Sequence, residues 1–317
     1  MTNIEWTDAT WNPIVGCSVI SAGCTNCYAM RQAGRLLDGN TLTPHYDGTT
    51  KTSNAGYVWT GKVAMAPDET LLAPLRWKKP RMIFVNSMGD LFHEAVPDAW
   101  IERVFAVMAL SPQHTFQVLT KRPERMAEYL NDPRTPERIG SSLFSRVFAP
   151  HFYRGFVMTL GLQTHQYITL PLHNVWLGTS VEDQKSANAR IPHLLSTPAA
   201  VRFISAEPLL GPVDLKAVPI PADDGHDGAT LDWAIVGGES GKGARPMHPD
   251  WARSLRDQCG RENVPFFFKQ WGEWFSANGV SVRIGKKQAG RLLDGFEHNA
   301  MPDYEPPQKT PAHDTPE

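Results

Sequence analysis

A chain of 317 residues that is 41% hydrophobic and 20% charged can bury a full core, which excludes a disordered or fibrous protein. Its formal net charge of -2 gives no general electrostatic pull toward nucleic acid, and leaves only local basic stretches such as KKPR (78 to 81) and TKRPER (120 to 125) as contacts of that kind. No apolar run approaches the roughly 18 residues of a membrane span, and the polar start MTNIEWTDAT lacks both parts of a signal peptide, so the expectation is a soluble cytoplasmic enzyme with no membrane attachment.

In chain order, a first strand near residues 11 to 16 leads into WNPIVGCSVISAGCTNCYAM (11 to 30), which holds Cys17, Cys24 and Cys27. Residues 40 to 80 read as a turn-rich insertion with a hairpin. Strand RMIFVNS (81 to 87) precedes a helix over 97 to 110, where Trp100, Val104, Val107 and Met108 recur at helical spacing behind Pro97 and Asp98. Strand TFQVLT (115 to 120) and a helix over 122 to 131 follow. Residues 133 to 173 are too long for an ordinary connection and read as a second insertion. Then come strand NVWLGTS (174 to 180), a helix over 182 to 195, and strands VRFISAE (201 to 207) and WAIVGGES (233 to 240). A helix over 249 to 262 and strand PFFFKQW (265 to 271) complete the series. The tail 303 to 317, rich in proline and charge, reads as disordered.

Near-continuous apolar strands alternating with helices predict a parallel sheet covered by helices. About seven such units predict an α/β fold, a complete or partial TIM-type (β/α) barrel in one domain over 1 to 302. The polar residues collect at the C-terminal tips of the strands: Asn86, Ser87 and Asp90; Lys121 and Arg122; Ser180 and Glu182; Ser205 and Glu207; Glu239 and Ser240; Lys269 and Gln270. In a parallel barrel these tips share one mouth, where active sites of this architecture lie. Each tip alone is explained by solvation of a turn; the succession favours a common polar pocket. The octapeptide QAGRLLDG occurs at 32 to 39 and again at 288 to 295, and each copy reads as a short helix closed by its C-terminal glycine.

In a reducing compartment, three close thiols point to metal or redox chemistry rather than to disulfides. Two residues separate Cys24 from Cys27, a gap that lets adjacent thiolates grip one metal centre, and six separate Cys17 from Cys24, a loop long enough to reach a third corner. Gly16 and Gly23 allow the bends. No fourth Cys or His lies close by, His45 being the nearest downstream, so a four-iron four-sulfur cluster with one open iron is favoured over zinc and over plain structural thiols. Cys259 follows Trp251 and Leu255 at intervals of four and belongs to a buried helix stripe. VGGESGKGARP fails as a phosphate loop, because Val236 stands where its first glycine would be and Gly243 follows Lys242.

A three-cysteine loop after the first strand of a βα barrel resembles the radical S-adenosylmethionine enzymes, whose commoner spacing puts three residues, not six, between the first two cysteines. EWTDATWNPIVGCSVISAGCTNCYA, VNSMGDLFHEAVP, LTKRPERM, WLGTSVEDQ, ISAEPLLG, VGGESGKGARPM, FFKQWGEW and GRLLDG together resemble the bacteriophage gene-product-37 and gene-product-68 family of three-cysteine proteins. The resemblance implies a barrel of the radical S-adenosylmethionine kind, with Cys17, Cys24 and Cys27 holding a [4Fe-4S] cluster and Tyr28 as the aromatic beside it. It implies S-adenosylmethionine as cofactor, an electron donor as partner, and reductive cleavage to a 5′-deoxyadenosyl radical. The Gly-Gly-Glu element usual at the second strand is replaced there by NSMGD; the literal GGE stands late in the chain, so Ser87, Asp90, Ser205, Gly237, Gly238 and Glu239 are assigned together to the cofactor pocket. Lys121, Arg122, Glu182, Glu207 and Lys269 are the candidates for contacting a nucleic acid or nucleotide substrate, with ion pairs around the mouth as the alternative. The rival expectation is a non-catalytic, zinc-stabilised nucleic-acid-binding phage protein that stacks bases on surface tryptophans.

Overall fold

The structure, a computed structural model, describes residues 4–54, 56–143, 168–219, 230–277 and 280–303. Residues 144–167 of the expected second insertion and 304–317 of the expected tail lie outside the described residues. Seven strands form one sheet: β1 (Ala9–Trp11), β2 (Met82–Val85), β3 (Thr115–Thr120), β4 (Val175–Ser180), β5 (Val201–Ala206), β6 (Trp233–Gly237) and β7 (Phe266–Gln270). All six pairings are parallel and spatial order follows chain order. The helices expected from apolar spacing are α1 (Asp98–Ala109), α2 (Pro123–Asn131), α4 (Gln184–Leu195) and α5 (Pro249–Arg261), with α3 (Thr135–Leu143) opening the second insertion. Pro123 and Pro249 stand in the first turns of α2 and α5, where a missing N–H costs nothing. Asp183 caps α4, accepting from the Ser186 N–H at 2.8 Å while the Ser186 hydroxyl accepts from the Asp183 N–H at 3.0 Å.

Alternate residues of the strands serve two cores. Ile83, Val85, Phe116, Val118, Val175, Leu177, Ile204 and Phe268 pack with Val104 and Met108 of α1, Leu194 of α4 and Leu255 of α5. Phe84, Trp176, Phe203, Trp233 and Phe267 point the other way and converge with Trp6. Trp233 is fully buried, with the rings of Trp6, Trp176, Phe203 and Phe267 all centred within 6.1 Å of it. On a flat sheet β1 and β6 would lie about 24 Å apart. Contact between Trp6, just before β1, and Trp233 on β6 therefore requires the sheet to curl into a half-barrel with an aromatic plug inside.

The barrel is partial, since among the described residues β1 and β7 do not pair. The free edge of β7 is partly covered by the segment after it, with the Phe268 N–H donating to the His298 carbonyl at 2.9 Å and the Trp233 indole to the Ala300 carbonyl at 2.9 Å. Two expectations need correction. The first sheet strand ends at Trp11, whereas Ile14–Val15 leaves the sheet to pair antiparallel with Ala64–Met65. The two copies of QAGRLLDG also fold differently: the first continues a helix through Leu37 before Gly39, while in the second the helix Lys286–Ala289 stops at Gly290, whose φ of 68° ends it inside the repeat. The hairpin in the first insertion is present as Thr50–Ser53 against Gly56–Trp59. Cys259 is buried in the helix-facing core.

Candidate functional site

From the end of β1 the chain reaches Gly16, whose φ of 88° turns it so closely past the 60s segment that a Cβ would lie 2.1 Å from the Lys62 carbonyl oxygen. Cys17 follows, a short turn of 3₁₀ helix spans Ala22–Cys24, and Cys27 precedes the helix Tyr28–Gln32. The loop is pinned from within by the Cys24 N–H to the Ser21 carbonyl at 3.0 Å and the Cys27 N–H to the Cys24 carbonyl at 3.2 Å. All three cysteines line one cavity of about 280 Å³ at the C-terminal end of the sheet. His45 does not line it.

The strand tips surround the same cavity. Of the residues assigned from the sequence to the cluster, the cofactor pocket and the substrate, all but Glu182 and Gly237 line it. Both cationic tips next to the cysteines are aimed at sulfur: the Lys121 ammonium donates to Cys24 Sγ at 3.6 Å and the Arg122 guanidinium to Cys17 Sγ at 3.8 Å. Each cation is held by a buried carboxylate, Glu182 for Lys121 and Asp90 for Arg122, and Arg122 has the exposed Glu94 besides. Lys121 pairs with Glu182, which is 2% exposed and also accepts from Arg190 at 2.8 Å and from the Ser21 hydroxyl at 2.7 Å. Arg122 pairs with Asp90 at 3.1 Å and Glu94 at 2.5 Å and donates to the Ser18 hydroxyl at 3.1 Å. Asp90 has no lone pair to spare for a ligand, because it also accepts from the Thr120 hydroxyl and from the N–H groups of Phe92 and Lys121.

These partners set the thiols apart. Burial, reinforced by Asp90, pushes the Cys17 thiol up to about 12. Burial also raises Cys27, against hydrogen bonds from the backbone of Met30 and Ala29. Burial acts upward on Cys24 too, but Lys121 together with hydrogen bonds from Ile20 and Ser21 outweighs it and leaves this thiol below its ordinary value. Glu182 is likewise held below the usual carboxylate range despite burial, by Lys121 and Arg190.

On the far side of the cavity, Lys269 on β7 pairs with Glu207 beyond β5 at 2.9 Å, and the Ser205 hydroxyl donates to Glu207 at 3.2 Å. The GGE stretch has a packing role at every position. A Cβ on Gly237 would lie 2.8 Å from Glu207 Oε1, and one on Gly238 would lie 2.0 Å from the Trp271 carbonyl oxygen. Glu239 accepts from Arg245 at 2.6 Å and from Asn26 at 3.0 Å, and these bonds, Arg245 foremost, hold it below its ordinary value against burial. Tyr28 sits at the rim with its hydroxyl donating to the Ser87 carbonyl at 3.1 Å. The ion pairs expected as the alternative are therefore real, and they are built around the cavity rather than away from it.

A family model described as "Protein of unknown function (DUF5131)" matches residues 1–302. The chain belongs to the DUF5131 family. No curated protein and no solved structure matches it. In this DUF5131 chain the residues that sequence reasoning missed are the clasps of the cysteine loop: Ser21, Asn26, Arg190 and Arg245. Ser21 and Asn26 reach their carboxylates across 161 and 213 residues, while Arg190 and Arg245 reach the same two, Glu182 and Glu239, from 8 and 6 residues further on, and neither kind of separation is a motif spacing. Gln270 and Asn86 stood among the strand tips, but their state was not foreseen: both are buried at the cavity, with Gln270 Oε1 and Asn86 Nδ2 unpartnered among the described residues. TKRPER is not a surface patch: Lys121 and Arg122 face the site, and Arg125 donates to the carbonyls of His93 and Val96. No tryptophan is exposed; six are buried and four are half-buried.

The site suits a three-thiolate cluster by its donor chemistry. Three soft ligands share one cavity wall, and two of them face fixed cations that offset thiolate charge. Among the described residues no three His, Cys, Asp or Glu side chains gather tightly enough to hold a single ion. A cubane asks for a wider set than one zinc, because each cysteine binds a different iron.

Proposed function

We propose that this DUF5131 protein is an iron-sulfur enzyme of the radical S-adenosylmethionine type, kin to the phage gene-product-37 and gene-product-68 proteins that its motifs resemble. The observation that carries this reading is the convergence of Cys17, Cys24 and Cys27 on one cavity at the C-terminal mouth of a parallel half-barrel. Those three residues would hold a [4Fe-4S] cluster and leave one iron for S-adenosylmethionine, and the reducing cytoplasm with an electron donor is the setting such a site needs. When bound, the cluster and cofactor supply one-electron cleavage and a hydrogen-abstracting radical.

The chain's own contribution is positioning and exclusion. Lys121 and Arg122 fix the loop through its sulfurs and add positive charge beside them. The plug of Trp6, Trp176, Phe203, Trp233 and Phe267 seals the cavity from below and keeps water from the reacting end. Glu207 and Lys269, joined by Ser205, present one acceptor and one donor group for orienting substrate opposite the cysteines. The rival zinc-stabilised nucleic-acid binder is disfavoured by the absence of exposed tryptophans for base stacking.

Anaerobic purification tests the reading. A brown protein whose electron-paramagnetic-resonance signal shifts on adding S-adenosylmethionine, and which yields 5′-deoxyadenosine with dithionite while Cys24→Ala yields none, is the expected outcome. A colourless, zinc-loaded protein with no such product overturns it.

A further inference from the structure

The half-barrel is open along one side, and the opening is basic. Above the residues that cover the β7 edge, a second cavity of about 360 Å³ lies between the segment leading into β1 and the tip of β7. It is lined by Glu5, Lys269, Gln270, Lys286, Lys287 and Arg291. Four cations thus meet one carboxylate in a chain whose overall charge is -2.

Two of the cations are spoken for, since Lys269 pairs with Glu207 at 2.9 Å and Lys286 with Glu5 at 3.2 Å. Lys287 is exposed and has no ion-pair partner among the described residues. Arg291 lies with its guanidinium 5.1 Å from the centre of the Phe267 ring and donates to Asn299, while its buried Nε has no partner. Two positive charges are therefore uncompensated at the seam. The seam and the cysteine cavity share Lys269 and Gln270, so the two spaces adjoin. Gln270 is 6% exposed, its Nε2 donates to the Ser240 hydroxyl at 2.8 Å, and its Oε1 lacks a donor.

We propose that this seam binds the phosphate group of a phosphoester substrate, a nucleotide or a single-stranded nucleic acid, whose remaining part enters the cysteine cavity past Lys269 and Gln270. Flexible lysine point charges with an arginine fork beside them suit a dianion better than a single carboxylate does. The assignment rests on the reading above only for where the reacting end lies; phosphate binding is independent of the cluster.

Titration calorimetry with pyrophosphate and thymidine monophosphate, and fluorescence anisotropy of a labelled short oligothymidylate, test it on the anaerobically purified holoprotein. The variants are Lys287→Glu alone, at an exposed and unpaired position, and Lys286→Glu with Lys287→Glu. At least one probe binds the wild type, the double variant loses about tenfold or more, and for the oligonucleotide the log-log salt slope falls by at least about 0.7, the share of one lysine–phosphate contact. Binding of the small probes assigns a nucleotide source, and binding of the oligonucleotide alone assigns a polymer. If no probe binds, or if both variants bind as the wild type does, the inference is wrong. A missing cluster signal with intact, charge-sensitive phosphate binding would instead sink the proposed function and leave this site standing.

Discussion

Replacing Lys121 with methionine probes the contact between the strand tips and the cysteine loop. Methionine keeps most of the side-chain volume but removes the ammonium that donates to Cys24 Sγ at 3.6 Å, to the Ser21 hydroxyl at 3.2 Å and to Glu182. A cation beside a ligand sulfur favours the more negative, reduced state of a cluster, so its loss makes reduction harder. A hydrogen bond to a charged group is worth about 1.5 to 3 kcal/mol, and if about 1.4 kcal/mol of that changes with the added electron, the reduced fraction at a fixed potential falls about tenfold. For a one-electron couple this is a shift of about 59 mV to more negative potential. The fold suffers separately: Glu182 keeps Arg190 at 2.8 Å but loses its other cation, which costs about 3 kcal/mol for a buried pair. Redox titration followed by electron paramagnetic resonance, with iron content measured in parallel, reads the first effect apart from the second. Lys121→Arg should restore the potential, and Glu182→Gln should move it the opposite way. A midpoint for Lys121→Met that is unchanged within about 20 mV, against the expected shift of about 59 mV, or that moves positive, refutes the reasoning.

In metal-free protein at about pH 8, iodoacetamide should modify Cys24 before Cys17 and Cys27, because Lys121 overcomes burial only at Cys24 while Cys17 is pushed up to about 12; peptide mass mapping that finds Cys17 labelled first contradicts this. Trp233→Ala should cost about 3 to 5 kcal/mol in guanidinium unfolding, since four rings lose their common partner, and a loss below about 1 kcal/mol would remove the plug's structural role. Gly238→Ala should abolish folded yield, its Cβ falling 2.0 Å from the Trp271 carbonyl oxygen, whereas Gly260→Ala in α5, with nothing within 4 Å, should raise stability by about 0.5 to 1 kcal/mol. Comparable melting of those two variants would mean that the β6 and β7 tips are not so closely apposed.

Six of the seven strands were legible because buried parallel strands are nearly unbroken apolar runs ending in polar turns. β1 was misplaced because its residues, Ala9, Thr10 and Trp11, make a weaker run than Ile14 and Val15, which sit in a separate ribbon. The openness of the barrel was not legible: alternation says that a strand has two faces, not whether the first and last strands meet. At the site, the cysteines and the tips stood out by residue type. Their commitments did not, and the GGE stretch illustrates why. Two glycines and a glutamate resemble a ligand-binding element, yet they make room for Glu207 and Trp271 and anchor Arg245, all of which are set by tertiary neighbours. The repeat misled for a related reason. Asp38 is fixed by the Thr50 hydroxyl and Asp294 by Arg253, so one octapeptide takes two shapes in two environments.

The cysteine loop is clasped almost wholly by later parts of the chain. Ser21 donates to Glu182 across 161 residues, Asn26 to Glu239 across 213, and Arg245 to the Ala22 carbonyl across 223. A ribosome adding about 5 to 20 residues per second needs roughly 10 to 40 s to bring Arg245 out after the cysteines. Lys121 and Arg122 emerge first, 97 residues after Cys24 and 105 after Cys17, so the chain holds the cations for its thiols well before the loop can gain its last clasp. Biogenesis of the site is in this sense ordered by the chain: a polypeptide interrupted before residue 121 presents three thiols with neither cations nor clasps, where the finished protein presents a pocket.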